Sequence, residues 1–161
     1  GLTPCVIHKG LVLAAPSDCD RVFALDAVTG RKIWDTPPGS GADIQCLLGV
    51  GSGNLIASGN RLVWIDVQTG EIKAGFPAQF DGALRGYGRG ILAGSHVYWP
   101  TRDQIYVFDQ RGPQPTRQPI ELAPLGLTGG NLVISRDVLL IAGPSQLSAF
   151  NTFGPQVTKR H

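Results

Sequence analysis

One short motif recurs four times along this chain. Each copy is an apolar run that leads into an acidic or amide residue, and the four turn residues are Asp26, Asp66, Asp109 and Asn151. Successive turn residues lie 40, 43 and 42 positions apart. A nearly fixed period of this length indicates a chain built by repeating one supersecondary unit.

Each repeat contains enough apolar runs for four strands. A second run precedes each turn motif, at 11–14, 54–57, 96–99 and 138–141, and predicts the second strand of each unit. Inner strands are predicted near 4–8, 44–48, 89–93 and 130–135, and an outer strand follows each turn, as at 31–34. Four strands in roughly 40 to 45 residues is the length of one β-propeller blade.

The composition agrees with short strands joined by tight turns. The 161 residues include 22 Gly and 12 Pro, and only 16% are charged. We therefore predict an all-β chain, a β-propeller of four-stranded antiparallel blades in one domain, with about four blades at 1–38, 39–80, 81–122 and 123–161.

The charge pattern argues against a nucleic-acid partner, and the hydropathy argues against a membrane-spanning segment. The formal net charge is +2, and no run of like charges marks a face for nucleic acid. No apolar stretch reaches the roughly 18 residues of a membrane span. We expect neither a nucleic-acid partner nor a membrane segment in this chain.

A Gly follows each of the turn residues and predicts the turn geometry. Asp26 is followed by Gly30, and Asp66 by Gly70. The carboxylate accepts backbone N–H bonds in such a turn, and Gly adopts positive φ without a Cβ clash. The repeated carboxylates are thus predicted to be structural.

The first copy carries a family resemblance. Residues 24–34 read Ala-Leu-Asp-Ala-Val-Thr-Gly-Arg-Lys-Ile-Trp, which resembles the signature A-L-D-x-x-T-G-x-x-x-W of the pyrroloquinoline-quinone (PQQ) repeat. In that family the Trp, here Trp34, docks between adjacent blades. The second copy has Ala74 in the Trp position and places Trp64 where the first copy has Ala24. The third and fourth copies lose the Thr and shorten the turn by one residue.

The resemblance implies a larger ring, because PQQ-repeat propellers usually close with seven or eight blades. Four blades alone would leave an open arc with exposed apolar faces. The chain starts at Gly1 and contains no Met, so we expect a piece of a longer protein. This piece either closes on itself as four blades or pairs with a second copy to complete an eight-bladed ring.

Ligands of propellers usually bind on the face formed by the loops that join second to third strands and outer to inner strands. These loops are predicted at 16–20, 37–43, 58–60, 78–88, 100–104, 120–128 and 143–146. At the 100–104 loop, Trp99, Arg102 and Asp103 are the candidate ligand-binding residues. An aromatic platform beside a guanidinium suits a planar or anionic partner. In the alternative, Trp99 packs between blades and Arg102 pairs with Asp103.

No catalytic or metal-binding constellation is found in the sequence. The histidines are scattered, and no nucleophile elbow or HExxH pair occurs. Cys5, Cys19 and Cys46 form no C-x-x-C pair and no Cys/His cluster, so no metal site is predicted. One disulfide with one remaining free thiol is an alternative. We favour three reduced cysteines that pack as small apolar residues.

The resemblance implies a non-catalytic scaffold that binds protein partners or a small ligand on its loop face, in a bacterial protein that is periplasmic or otherwise exported. The alternative is a fragment of a quinoprotein dehydrogenase. Those enzymes hold PQQ between a Trp and a disulfide of neighbouring cysteines and bind calcium through Glu, Asn and Asp. Since none of these ligands can be mapped onto this chain, they would lie outside it. A second alternative is the sensor propeller of a multidomain signalling protein.

Overall fold

The computed structural model describes residues 4–144, 146–151 and 157–160, with side chains described at 4–144 and 146–149. Within these ranges the chain forms four antiparallel sheets of four strands each, and every sheet follows chain order. The only helical element among them is one short 3₁₀ turn, Ala123–Leu125. The fourth predicted turn, at 152–154, lies outside the described residues.

Each sheet is one blade, and the blades follow one another along the chain. Blade 1 contains β1 Val6–His8, β2 Leu11–Ala14, β3 Phe23–Asp26 and β4 Lys32–Asp35. Blade 2 contains β5 Ile44–Gly51, β6 Asn54–Gly59, β7 Leu62–Asp66 and β8 Ile72–Phe76. Blade 3 contains β9 Ile91–Ala93, β10 His96–Pro100, β11 Gln104–Asp109 and β12 Ile120–Glu121. Blade 4 contains β13 Asn131–Ser135, β14 Val138–Ala142, β15 Leu147–Asn151 and β16 Val157–Arg160.

The all-β propeller prediction is confirmed by this arrangement, and the predicted strands lie within a few residues of the observed ones. Each sheet falls inside one of the four predicted blade ranges. The points at which one blade ends and the next begins stay predictions.

The turn after the third strand has the predicted chemistry in the first two blades. Asp26 Oδ1 accepts the N–H groups of Val28 and Thr29, both at 2.8 Å. Gly30 closes the turn with φ of 73°. Asp66 repeats this pattern in blade 2. These N–H donors hold the pKa of both carboxyls below the usual value.

The shorter third turn departs from the prediction at its glycine. Asp109 Oδ1 accepts the N–H of Arg111 at 2.8 Å, as in the other blades, and the Arg111 guanidinium also donates to both carboxylate oxygens. Gly112 does not adopt positive φ. Gly112 N–H donates to the Asp109 carbonyl three residues earlier, whereas Gly30 and Gly70 donate to the Asp carbonyl four residues earlier and adopt positive φ.

The outer strand of blade 3 is the shortest strand described. It pairs with only Gln104 and Ile105 of β11. Pro113, Pro115 and Pro119 occupy the preceding segment, and proline has no N–H with which to extend a ladder. The blade edge is therefore irregular between β11 and β12.

Every blade presents two faces, which we call leading and trailing. The leading face packs on the preceding blade, and the trailing face packs on the following blade. Blades 1 and 2 meet in one buried cluster, blades 2 and 3 in a second, and blades 3 and 4 in a third. The core of this chain is thus three layers between four sheets.

The family role predicted for Trp34 is confirmed by its contacts. Its side chain is buried on the trailing face of blade 1, and its indole N–H donates to the carbonyl of Val67 in blade 2 at 2.9 Å. Ala24 lies directly opposite Trp34 across the β3–β4 pair. In blade 2 the equivalent cross-strand pair is Trp64 and Ala74. The Trp therefore lies on the third strand of blade 2 and on the fourth strand of blade 1, and each trailing face contains one indole at this position.

Candidate functional site

A groove opens on the loop face between blades 3 and 4. It has two adjoining compartments of about 280 Å³ and about 390 Å³. Residues shared by both compartments are Tyr87, Gly129, Gly143 and Pro144. We call this feature the Tyr87 groove. Three of the loop segments predicted for this face meet there.

Tyr87 is the exposed aromatic residue of the groove. The backbone before β9 is pinned to the end of β10, because Tyr87 N–H donates to the carbonyl of Pro100 at 2.9 Å and Gly86 bridges to Thr101. The Tyr87 side chain is nevertheless 48% exposed. A fixed backbone with an exposed phenol ring is suited to contact a partner at low entropic cost.

Glycines bring the walls of the groove together. A Cβ on Gly129 would collide with the carbonyl oxygen of Thr101, and one on Gly88 would collide with the backbone of Gly130. Gly88 also has φ of 91°, a conformation that disfavours other residues. Loop packing in the groove therefore depends on the absence of side chains at these positions.

Two arginines adjoin the groove through their backbones. Arg102 accepts the N–H of Gly129 on its carbonyl oxygen at 2.8 Å. Arg89 N–H donates to Oδ1 of Asn131 at 2.9 Å, and Asn131 lines the second compartment. Both side chains are exposed, and neither forms an ion pair with a carboxylate in the part of the chain with described side chains.

The predicted ligand-binding residues occupy different environments. Trp99 is fully buried, where it packs edge-on against Phe76, and its indole N–H donates to Ser58 Oγ at 2.9 Å. A planar ligand could therefore not stack on this ring without displacing its neighbours. Arg102 and Asp103 are exposed and form no ion pair with each other. Ligand binding by the three residues stays a prediction, with Arg102 and Asp103 as its accessible members.

Sequence reasoning missed Tyr87 because its significance depends on contacts between distant segments. Gly129 lies between blades 3 and 4, Gly143 follows β14 of blade 4, and neither belongs to a local sequence motif. The available signal was the dense spacing of glycines around Tyr87, at Gly86 and Gly88. Glycines that permit close backbone approach often mark such a site.

The three cysteines are free thiols. Cys46 lies near the loop end of an inner strand, and burial raises the pKa of its thiol, with a smaller opposing effect from Arg89 and a hydrogen bond with Ser58. A raised pKa disfavours the reactive thiolate at neutral pH. The favoured prediction of three packed, reduced cysteines agrees with the free thiols, but it is wrong about packing for Cys5, which is exposed.

A larger cleft lies at the opposite end of blades 1 and 2. It has a volume of about 600 Å³ and is lined by the β1–β2 and β5–β6 hairpins and by the turn after β7. Asp66 in this cleft already binds its own turn and pairs with Lys73 at 3.4 Å. Two of its charged residues, Asp66 and Lys73, are thus already paired with each other.

The described residues do not fit the quinone site of the dehydrogenases. Such a site needs an accessible Trp face opposite a disulfide, whereas Trp34, Trp64 and Trp99 are all buried and the cysteines are unlinked. Among the described residues, no group of three His, Cys, Asp or Glu side chains is placed to hold a metal ion.

The comparisons with known proteins identify the fold. No family model and no curated protein matches the sequence. Among solved structures, the chain is similar to BamB from Moraxella catarrhalis, with a TM-score of 0.74 at 16% identity over 96% of this chain and 48% of that one. It is similar to the computationally designed Ika4 protein, with a TM-score of 0.71 at 12% identity over 94% of this chain and 91% of that one.

A third similar structure is the quinohemoprotein alcohol dehydrogenase from Comamonas testosteroni, with a TM-score of 0.68 at 14% identity over 94% of this chain and 33% of that one. The chain thus has the β-propeller fold, and its structural neighbours include BamB and quinohemoprotein alcohol dehydrogenases, which are PQQ-repeat-type propellers. It spans about half the length of BamB and a third of the dehydrogenase. No helix in the described ranges is long and apolar enough to cross a membrane.

Proposed function

We propose that this propeller is a non-catalytic binding module whose loop face holds a segment of a partner protein. The observation that carries the proposal is the Tyr87 groove, which has an exposed aromatic residue and whose walls are bonded to the backbones of Arg89 and Arg102. Aromatic and arginine side chains are the residues that most often supply binding energy at protein interfaces. The similarity to BamB and other propellers supports the same class of function by analogy of fold.

The chemistry of the groove favours an acidic partner segment. The arginines lack carboxylate partners of their own, so a carboxylate on the partner gains charge-assisted hydrogen bonds without displacing an existing ion pair. The exposed Tyr87 residue offers a contact surface for a peptide that lies along the groove. We therefore propose an extended peptide segment with carboxylates and one apolar or aromatic side chain, and we propose that the protein acts outside the cytoplasm.

Peptide binding tests this function directly. The probe is a fluorescent ten-residue Gly/Ser peptide with two Glu and one Trp, compared with the same peptide carrying Gln at both Glu positions. We expect saturable binding of the acidic peptide that weakens with added salt, because exposed charges are screened. We expect Tyr87→Ala and Arg102→Ala each to weaken it by about tenfold, a typical effect for an interface anchor.

Arg31→Ala is the matched control, since Arg31 is an exposed arginine in the β3–β4 turn. It should leave peptide affinity unchanged. The proposal fails if the Glu and Gln peptides bind equally, if neither binds below millimolar concentration, or if Tyr87→Ala and Arg102→Ala behave like the control.

The alternative function is that of a quinoprotein dehydrogenase, which the similarity to two quinohemoprotein alcohol dehydrogenases favours. The ligands for its cofactor would then come from residues outside this chain. The test is a titration of the whole protein that contains this sequence with PQQ and calcium. A saturable, calcium-dependent quinone absorbance would support the enzyme and contradict the scaffold.

We propose that the module acts as a complete ring. Partner segments then meet a loop face built from all blades of the ring, of which the Tyr87 groove is one part. The proposal includes a ring that is completed by self-association of the chain.

A further inference from the structure

The second and third strands of blades 3 and 4 correspond residue by residue at their loop ends. Trp99 lies opposite Tyr106 in blade 3, and Ile141 lies opposite Ser148 in blade 4. In both pairs the third-strand residue lies three positions before the last residue of its strand. Ser148 therefore occupies the position that Tyr106 has in blade 3, with a small hydroxyl side chain in place of a phenol ring.

A glutamine near the start of each third strand extends this correspondence. Thr101 N–H donates to the carbonyl of Gln104 at 2.8 Å in blade 3, and Gly143 N–H donates to the carbonyl of Gln146 at 2.9 Å in blade 4. In blade 3 the phenol O–H of Tyr106 also donates to Gln104 Oε1 at 2.7 Å. Blade 4 has a serine at that tyrosine position, so Gln146 lacks the equivalent donor.

The Tyr106 ring fills part of the junction between blades 2 and 3. Its centroid lies 5.1 Å from that of Phe76, a residue of blade 2. At the junction between blades 3 and 4, Ile141 and Ser148 instead line the smaller compartment of the Tyr87 groove, about 280 Å³ in volume. This compartment lies at the position where blade 3 carries its own tyrosine ring.

The lining of the smaller compartment suits a ring that carries one polar atom. Leu127 and Ile141 are buried apolar residues, and Ser148 is 4% exposed. Gln146 also lines the compartment, and its side chain has no hydrogen-bond partner among the described side chains. An occupant that covers the amide without bonding to it would leave a polar group unpaired, which is costly.

We infer that this compartment binds a tyrosine side chain of the partner segment, whose ring packs against Leu127 and Ile141 and whose phenol O–H donates to Gln146 Oε1. The inference rests on the proposed function and names the aromatic residue which that function requires. The contact repeats between two proteins the tyrosine–glutamine pair that the chain already forms within blade 3. A buried tyrosine hydroxyl generally has such a partner.

Peptides that differ at one position test the inference. The probes are the fluorescent Gly/Ser peptide with Tyr, Phe or Ala in place of its Trp, each made with Glu and with Gln at the two acidic positions. We expect the Phe peptide to bind about threefold to tenfold more weakly than the Tyr peptide, since one hydrogen bond is lost. The Ala peptide should bind at least about tenfold more weakly than the Phe peptide, since no ring is buried.

Two variants assign this preference to the compartment. Ser148→Tyr gives blade 4 the residue that blade 3 has at this position and fills the space, so the three peptides should bind equally, with the affinity of the Ala peptide. Gln146→Leu should remove the difference between Tyr and Phe and keep the difference between Phe and Ala. The matched controls are Ser95→Tyr and Gln68→Leu, at exposed positions in turns of the opposite end, and neither should change any ratio.

The two proposals for this groove can fail separately. Equal affinities for the Tyr, Phe and Ala peptides, with Glu still favoured over Gln, would overturn the tyrosine inference alone. A Tyr preference that is the same in both series, with Glu and Gln bound equally, would overturn only the acidic partner segment. A Tyr preference that survives in both Ser148→Tyr and Gln146→Leu would show that the ring binds elsewhere. If none of the six peptides binds, both proposals are wrong.

Discussion

At the scale of single residues, the indole groups differ in how their N–H donors are satisfied. Trp34 donates to Val67 and Trp99 donates to Ser58. Trp64 Nε1 is buried and has no hydrogen-bond partner among the described residues. A buried donor without a partner costs about 1–3 kcal/mol of folding free energy. The exchange of Trp and Ala between the paired strands of blade 2 thus preserves volume but loses a hydrogen bond.

This difference predicts unequal effects of replacing the two fully buried tryptophans by Phe. Trp99→Phe removes a hydrogen bond and leaves Ser58 Oγ without its donor. Trp64→Phe removes an unpaired donor. We expect Trp99→Phe to lower the free energy of unfolding by about 1–3 kcal/mol more than Trp64→Phe, as measured by urea unfolding. Equal losses, or a larger loss for Trp64→Phe, would contradict this account.

At the scale of the structural element, the turn after β11 has the most strongly shifted carboxyl group. The side-chain and backbone bonds from Arg111 lower the pKa of Asp109 from 3.8 to about 2. A carboxyl whose pKa is lower in the folded state stabilises the fold at pH values above its unfolded pKa. That contribution is lost as the pH falls from about 4 toward 2.

Asp109→Asn should therefore lower the melting temperature above pH 4, and the difference from the unmodified chain should narrow as the pH falls to 2. Thermal unfolding followed by circular dichroism at pH 6, 4, 3 and 2 measures this. Asp18→Asn serves as the control, since Asp18 is exposed and forms no hydrogen bond or ion pair within the described residues. A difference for Asp109→Asn that is the same at pH 6 and pH 2 would argue against the Arg111 contact as its cause.

The elements were predictable from the sequence because their signals are local. The period of the turn motif, the carboxylate of Asp26 and the glycine at Gly30 each act over a few residues, and they locate strands and turns. The Tyr87 groove was not predictable in this way, since it forms where loops from two blades meet. The burial of Trp99 has the same origin: its neighbour Phe76 belongs to the previous blade, and no local pattern reports that contact.

At the scale of the whole molecule, the four described sheets form a stack with two unequal kinds of blade. Blades 2 and 3 are covered on both faces, and the cluster between them contains Trp64, Trp99 and Phe108. Blades 1 and 4 are each covered on one face only. In repeat architectures the stability of a unit depends on its own contacts and on those with its neighbours.

Amide hydrogen exchange should therefore be slowest in the middle of the chain. We expect β6, β7 and β10 to exchange most slowly, and β1 and β13 to exchange faster, because a sheet with one open face loses fewer contacts when it opens locally. Exchange measured by mass spectrometry resolves these segments. Equal protection of β1 and β6 would show that the stack opens as one cooperative unit.

The exchanged positions of Trp and Ala in blades 1 and 2 carry a consequence for how such chains diverge. Ala24 faces Trp34, whereas Trp64 faces Ala74. A single substitution on the way from one arrangement to the other creates either two indoles that compete for one space or two methyl groups around a cavity, and both are costly in a close-packed interior. Blades that differ in this way are separated by a mutational barrier even though their surfaces have the same shape. Neighbouring repeats can therefore retain one architecture while their sequences lose the position-by-position correspondence that first relates them.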